Sequence, residues 1–201
     1  MSEILGTAGY GANAIALADQ YESVKFADVH RDVLHLFPLR ACGVLDIGAG
    51  SGRDAALARQ GHHVIAVEPT AELRTEGMRR HAALPINWVD DHLPVLHRIR
   101  MRGVRYDLIL LTAVWMHLDA TERELAMEVV AELLADNGQV IMSLRHGSVP
   151  EGRTMFDVSV EETMRLAEVN KLRASFLRKR EDMLGRNDVT WRFLVFQHEL
   201  Q

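Results

Sequence analysis

The sequence predicts an α/β protein of three layers, with helices on both faces of a seven-stranded, mostly parallel sheet whose last strand is antiparallel. Three observations carry this prediction. From Cys42 onward, short β-type apolar runs alternate with helical patterns, as in βαβ units. One run, Tyr106–Leu111, is apolar on both faces, as a central parallel strand must be. The chain closes on two strand-like runs, Leu172–Arg180 and Val189–Gln197, and the gap between them, Glu181–Asp188, is too short for a crossover helix.

In order along the chain, the first 40 residues read as helical over Ala12–Glu22 and again over Asp28–Phe37, with Pro38 ending the second run. Gly43–Ile47 is a short buried strand, Arg53–Gln60 a helix and His63–Val67 a second strand. Thr70–Arg80 is a helix whose clearest apolar members are Leu73 and Met78. Ile86–Val89, Tyr106–Leu111 and Gln139–Leu144 are strands three, four and five. Asp119 and Ser159 each stand three residues before a glutamate, Glu122 and Glu162, which is capping-box spacing. The first of these helices continues through Leu125, Val129 and Leu133, a stripe expected to face the sheet, and Gly138 is expected to stop it.

With 201 residues the chain is read as a single domain, residues 1–40 forming a helical cap and 41–201 the core. The net charge of −5 removes the global positive field that gripping nucleic acid or an anionic membrane requires. Cys42 is the one cysteine, so there is no internal disulfide and no Cys-x-x-Cys pair. Met1-Ser2-Glu3 carries no basic n-region, and no apolar run approaches the roughly 20 residues that span a bilayer. A cytoplasmic protein is expected.

The strongest chemical signal is Val44-Leu45-Asp46-Ile47-Gly48-Ala49-Gly50-Ser51-Gly52-Arg53. A buried strand runs into a glycine-rich turn and then a helix, the place where doubly wound sheets bind nucleotide-like ligands. The glycines follow G-x-G-x-G, whereas the dinucleotide fingerprint G-x-G-x-x-G would need a glycine where Arg53 stands. Asp46 lies two residues before Gly48, where its carboxylate would repel a pyrophosphate and attract a cationic ligand group.

VLDIGAGSGR resembles motif I of the class I S-adenosylmethionine-dependent methyltransferases, and the resemblance extends over about residues 40–200. It implies a Rossmann-like fold, S-adenosylmethionine as cofactor and methyl transfer to a small-molecule acceptor. Asp46, Gly48, Gly50 and Gly52 would then hold the methionine end of the cofactor, with Ala49 and Arg53 of the same loop also among the cofactor-binding residues. His63–Pro69 looks like the family's second strand, whose terminal acid, here Glu68 followed by Pro69, holds the ribose hydroxyls. Trp88–Pro94 is similar to the acidic turn that contacts the adenine, which leaves Asp90 and Asp91 as candidates. Tyr106–His117 resembles motif IV, the strand that carries the reacting methyl, and places Thr112 at the cofactor. Leu133–Leu144 resembles the helix–glycine–strand-five step, and Tyr21 stands where the family's N-terminal region presents a tyrosine to the cofactor.

On the acceptor side the candidates are Trp115, His117, Arg145 and His146. His117 is the candidate general base, because an imidazole can take a proton near neutral pH. The connection His146–Ser159 is long for its position and is expected to wall the acceptor pocket. No catalytic metal is expected: there is no His-Glu-x-x-His, and the adjacent His62 and His63 point to opposite faces of a strand. The basic runs His97–Arg105 and Lys171–Arg180 read as solvated faces. Two other readings stay open: an NAD-dependent oxidoreductase, disfavoured by Arg53 and Asp46, and a non-catalytic partner protein of the same fold.

Overall fold

The computed structural model of the chain describes residues 7 and 9–199, and the Met1–Glu3 segment read above lies outside them. Seven strands form one sheet: β1 (Gly43–Ile47), β2 (His63–Val67), β3 (Asn87–Val89), β4 (Tyr106–Thr112), β5 (Leu134–His146), β6 (Leu172–Glu181) and β7 (Thr190–His198). Their order across the sheet is β3-β2-β1-β4-β5-β7-β6. β1 pairs in parallel with β2 and β4, β2 with β3, and β4 with β5. β7 is antiparallel to both β5 and β6, so it alone runs against the rest. β1 and β2 begin and end where the sequence predicts.

The chain winds outward from β1 to β3 and then restarts at β4 on the other side of β1, which opens a crevice beyond the carboxyl ends of β1 and β4. Strand alternation builds a core on each face. Leu45, Ile47, Ile109 and Leu111 face one way, towards Ala126, Met127, Val130 and Leu133 of helix α5 (Ala120–Leu133) and Leu166 of α6 (Val160–Val169). Val44, Leu108 and Leu110 face the other way, towards Leu57 and Ala58 and towards Val33 and Phe37 of the N-terminal segment.

The departures from expectation have local causes. α1 covers Ala14–Glu22 after a 3₁₀ turn, Gly11–Asn13. The helix expected over Asp28–Phe37 is broken into α2 (Phe26–Val29) and a 3₁₀ turn, Leu34–Leu36. The carbonyl of Val29 there accepts from the Arg180 guanidinium instead of from a helical amide. The helix expected from Arg53 is a 3₁₀ turn over Ala55–Gln60, because Asp54, standing at the cap position, spends its carboxylate elsewhere. In α3 (Ala71–Arg80), Leu73 is buried but Met78 is exposed.

α5 has the full capping box: Asp119 Oδ1 accepts from the Glu122 amide at 2.8 Å, and Glu122 Oε2 accepts from the Asp119 amide at 2.9 Å. At α6 the cap is one-sided. Ser159 accepts from the Glu162 amide, while the Glu162 carboxylate takes the buried Arg123 guanidinium in a two-pronged pair and so ties α6 to α5. Leu125 is exposed whereas Val129 and Leu133 are buried. Steps of four residues creep around a helix by about 40° each, so the predicted stripe winds out of the contact.

Gly138 does not stop α5, which ends at Leu133 and passes straight into β5. Residues 135–138 bulge between the pairs Tyr106–Leu134 and Leu108–Gln139. A Cβ on Gly138 would lie 2.9 Å from the Tyr106 carbonyl oxygen, so the glycine is needed for close backbone approach. No helix among the described residues is long and apolar enough to cross a membrane.

Candidate active site

The crevice at the ends of β1 and β4 opens into a cavity of about 530 Å³, within the range of small-molecule sites. Its floor is the loop after β1. Gly48, Gly50 and Gly52 all adopt left-handed φ, at 69°, 56° and 89°. At Gly52 a Cβ would also lie 2.9 Å from the rings of His81 and Trp88, so both backbone angle and space demand glycine. Gly52 faces those rings and is not part of the cavity lining, whereas Gly48, Ala49 and Gly50 are.

Glu68, buried at the end of β2, pins this loop. Its Oε2 accepts from the Gly50 amide at 2.9 Å and its Oε1 from the Thr70 amide at 2.8 Å. Burial pushes its carboxyl up, against the pull of those two amides. Asp46, also buried, lines the cavity with one carboxylate oxygen that has no hydrogen-bond partner. Burial and the neighbouring Asp54 charge push its carboxyl well above the usual range.

Asp54 is the hub beside this floor. It accepts from His30 Nε2 at 2.8 Å, Arg53 Nε at 2.8 Å and the Thr112 hydroxyl at 2.7 Å. Burial would raise its carboxyl, but the Arg53 guanidinium and His30 overcome this and hold it well below the ordinary range. Arg53 and Thr112 line the cavity through this network. Tyr21 closes the floor from above, its ring 3.4 Å from where a Gly50 Cβ would stand, and burial pushes its hydroxyl up. Pro69 also lines the cavity.

The two acids after β3 part company. Asp91 is buried and lines the cavity beside His92 and Leu93, with its carboxylate accepting from the His92 and Ile99 amides, both at 3.0 Å. Asp90 points outward to Arg74, 3.2 Å away, and is half exposed.

On the acceptor side His117 and Arg145 line the cavity, but Trp115 and His146 do not. Trp115 starts the 3₁₀ turn Trp115–His117 and drops wholly into the core, because successive residues of so tight a turn point about a third of a revolution apart. His146 ends β5 with its Nε2 buried and unpartnered, outside the lining. His117 Nδ1 bonds the Thr154 carbonyl at 3.0 Å, within the long connection after β5. That connection reaches the cavity through Pro150, Glu151, Arg153 and Met155. Among the described residues no cluster of His, Cys, Asp or Glu has the makings of a metal site.

A family model described as a methyltransferase domain matches residues 44–138, from β1 into the bulge of β5. Over those residues the sequence matches a methyltransferase domain, and the sheet order is the Rossmann-like α/β fold of solved S-adenosylmethionine-dependent methyltransferases. Solved structures similar to the chain at low identity share its fold. Magnesium protoporphyrin IX methyltransferase from Synechocystis, with bound S-adenosylmethionine, is 15% identical, with 95% of this chain and 85% of that one covered at a TM-score of 0.68. A TehB-like methyltransferase from Corynebacterium glutamicum is 19% identical, with 94% and 99% covered at 0.67. The 1,6-didemethyltoxoflavin-N1-methyltransferase of Burkholderia thailandensis, with 1,6-didemethyltoxoflavin and S-adenosylhomocysteine bound, is 18% identical, with 94% and 90% covered at 0.62. No curated protein compared by sequence matches the chain.

Several cavity residues escaped the sequence reading. Tyr10 bonds His117 and lies under the Arg153 guanidinium, 3.6 Å from its ring centroid. Nothing in its neighbourhood of small residues marks it. Asp54 had a faint signal, an acid at the first turn after the glycine loop. Arg180, read as part of a solvated run, is buried on Asp32 at 3.1 Å and over the Phe193 ring. The β6–β7 turn adds Asp182, Met183, Leu184 and Arg186, and β7 adds Trp191.

Proposed function

We propose that this protein is an S-adenosylmethionine-dependent methyltransferase that moves the methyl group to a small-molecule acceptor held at the Tyr10–His117–Arg145 end of the cavity. One observation carries the reading: a single concave space runs from the glycine loop to that wall. The surroundings suit a small molecule, as do the neighbours solved with small ligands.

The residues present fit the cofactor. The unpartnered oxygen of Asp46 supplies a buried acceptor for an ammonium group, and each Glu68 oxygen accepts one amide and keeps a lone pair for a ribose hydroxyl. Gly48, Ala49 and Gly50 let the chain approach closely. Asp91, His92 and Leu93 form the wall for the adenine, a task the outward-turned Asp90 does not share. Tyr21 covers the loop. The cofactor supplies a methyl group activated by a sulfonium leaving group. The chain's own work is to hold the acceptor in line and keep water out, and proximity of this kind accounts for much of a displacement rate. His117 Nε2 is the proton sink, reached through the Tyr10 hydroxyl, which gives up its own proton as it takes the acceptor's.

The test is thermal unfolding with S-adenosylhomocysteine and with NADH. At 100 times its Kd a ligand adds about 2.7 kcal/mol, a rise of roughly 5–10 °C for this size. A shift with NADH and none with S-adenosylhomocysteine would overturn the reading.

A further inference from the structure

Arg145 is out of balance with its surroundings. It is 8% exposed, yet among the described residues its guanidinium meets only the Gly147 carbonyl at 3.5 Å and the Met155 sulfur at 3.9 Å. Among the described residues it forms no ion pair, although other arginines of comparable burial, Arg123 and Arg180, each have a carboxylate. The two acids that favour its cation are taken: Asp182 accepts from Arg186 Nε and Nη2 at 3.0 and 2.6 Å and from Trp191 Nε1 at 2.9 Å, and Asp188 accepts from the Ser148 amide and hydroxyl. Glu122, at the cavity edge, is spent on its helix cap. Burial and the Arg186 charge both work against the Arg145 cation. A buried, unpaired charge is costly, and it persists where a ligand completes it.

From this we infer that the acceptor carries a carboxylate, which Arg145 grips through its two-pronged face, and a flat apolar body that lies on Trp191. The inference rests on the proposed methyl transfer at this cavity. Arg145 and Trp191 are directly opposed in the β5–β7 ladder, so both side chains rise from the same face of the sheet. Asp182 fixes the indole, and Met155, Met183 and Leu184 complete an apolar wall. The Arg145 guanidinium by itself matches a monoanion. A phosphate dianion would need more donors, and Arg186 is already neutralised by Asp182. The placement also orients the acceptor. Thr154 holds His117 and the next residue, Met155, touches Arg145, so the carboxylate grip and the proton sink flank one two-residue stretch of chain.

The experiment titrates benzoate, benzamide and inorganic phosphate calorimetrically into the protein saturated with S-adenosylhomocysteine. Benzoate is expected to bind at least tenfold more tightly than benzamide and than phosphate. Arg145→Met should abolish the preference and Arg145→Lys should keep part of it, while S-adenosylhomocysteine affinity stays within twofold in both, which also reports that they fold. Equal binding of benzoate and benzamide, binding of neither, a preference for phosphate, or a preference that survives Arg145→Met would each overturn the inference. Failure of the wild-type protein to bind S-adenosylhomocysteine in the first titration would instead overturn the proposed function.

Discussion

The Tyr10 hydroxyl lies 3.0 Å from His117 Nε2, and this contact fixes the state of the imidazole. The Thr154 carbonyl at Nδ1 can only accept, so the ring proton sits on Nδ1 and Tyr10 donates to Nε2. Burial lowers the basicity of the imidazole further, and the Thr154 bond opposes this in part. A 107-residue separation in sequence thus ends in a neutral histidine whose lone pair is reached through a phenol.

His117 should therefore titrate below its ordinary value near 6.5 in an NMR pH series. Tyr10→Phe removes the donor that favours the neutral ring, so the midpoint should move up towards 6.5. With a competent acceptor, His117→Ala should lower kcat by about 10²–10⁴-fold and erase the acidic limb of the pH–rate profile. A loss under about tenfold with the limb intact would leave His117 as an orienting residue.

Glu68→Gln separates ligand binding from loop anchoring. The amide side chain keeps one acceptor and turns an N–H towards either the Gly50 or the Thr70 amide. One buried amide left unsatisfied costs about 1–3 kcal/mol, or roughly 2–10 °C in Tm. Losing the charge-assisted bonds to a ribose should also weaken S-adenosylhomocysteine by about 10–100-fold in calorimetry. A Tm loss with unchanged affinity would confine Glu68 to the loop.

Asp54→Asn should be the more damaging change to the fold. It strips the negative partner from buried His30 and Arg53, a loss of about 3–5 kcal/mol. Because Arg53 and His30 hold the folded carboxyl below its unfolded value, against burial, its contribution is full above the unfolded pKa of about 3.9 and is lost as pH falls below it. Denaturant midpoints from pH 7 to pH 3 should fall less steeply in the variant. Parallel curves would show that the Asp54 charge is not the source of acid sensitivity.

The parts of this protein that could be read from the sequence are those governed by neighbours along the chain. β1 and β2 were legible to the residue because a buried parallel strand is a short, largely apolar run that ends at a turn. The glycine loop was legible because three left-handed angles in five residues admit little else. The α5 cap was legible because both its bonds join Asp119 to Glu122. The N-terminal segment was not: the helix expected after Asp28 is interrupted where Arg180, 151 residues away, takes the Val29 carbonyl.

The sequence by itself determined the α/β class, the strands and the glycine loop that floors the cavity, since each depends on residue type and spacing within a few turns of chain. The tertiary structure alone decided which charges are satisfied. Arg145, Arg180 and Arg186 look alike as letters. The strand order sets Arg180 on Asp32, and the turn after β6 gives Asp182 to Arg186. Among the described residues, Arg145, opposite Trp191 at the cavity wall, is left without an ion-paired carboxylate. Whether a charge is paired depends on distances of a few ångströms between segments far apart in sequence, and only the assembled sheet sets those distances.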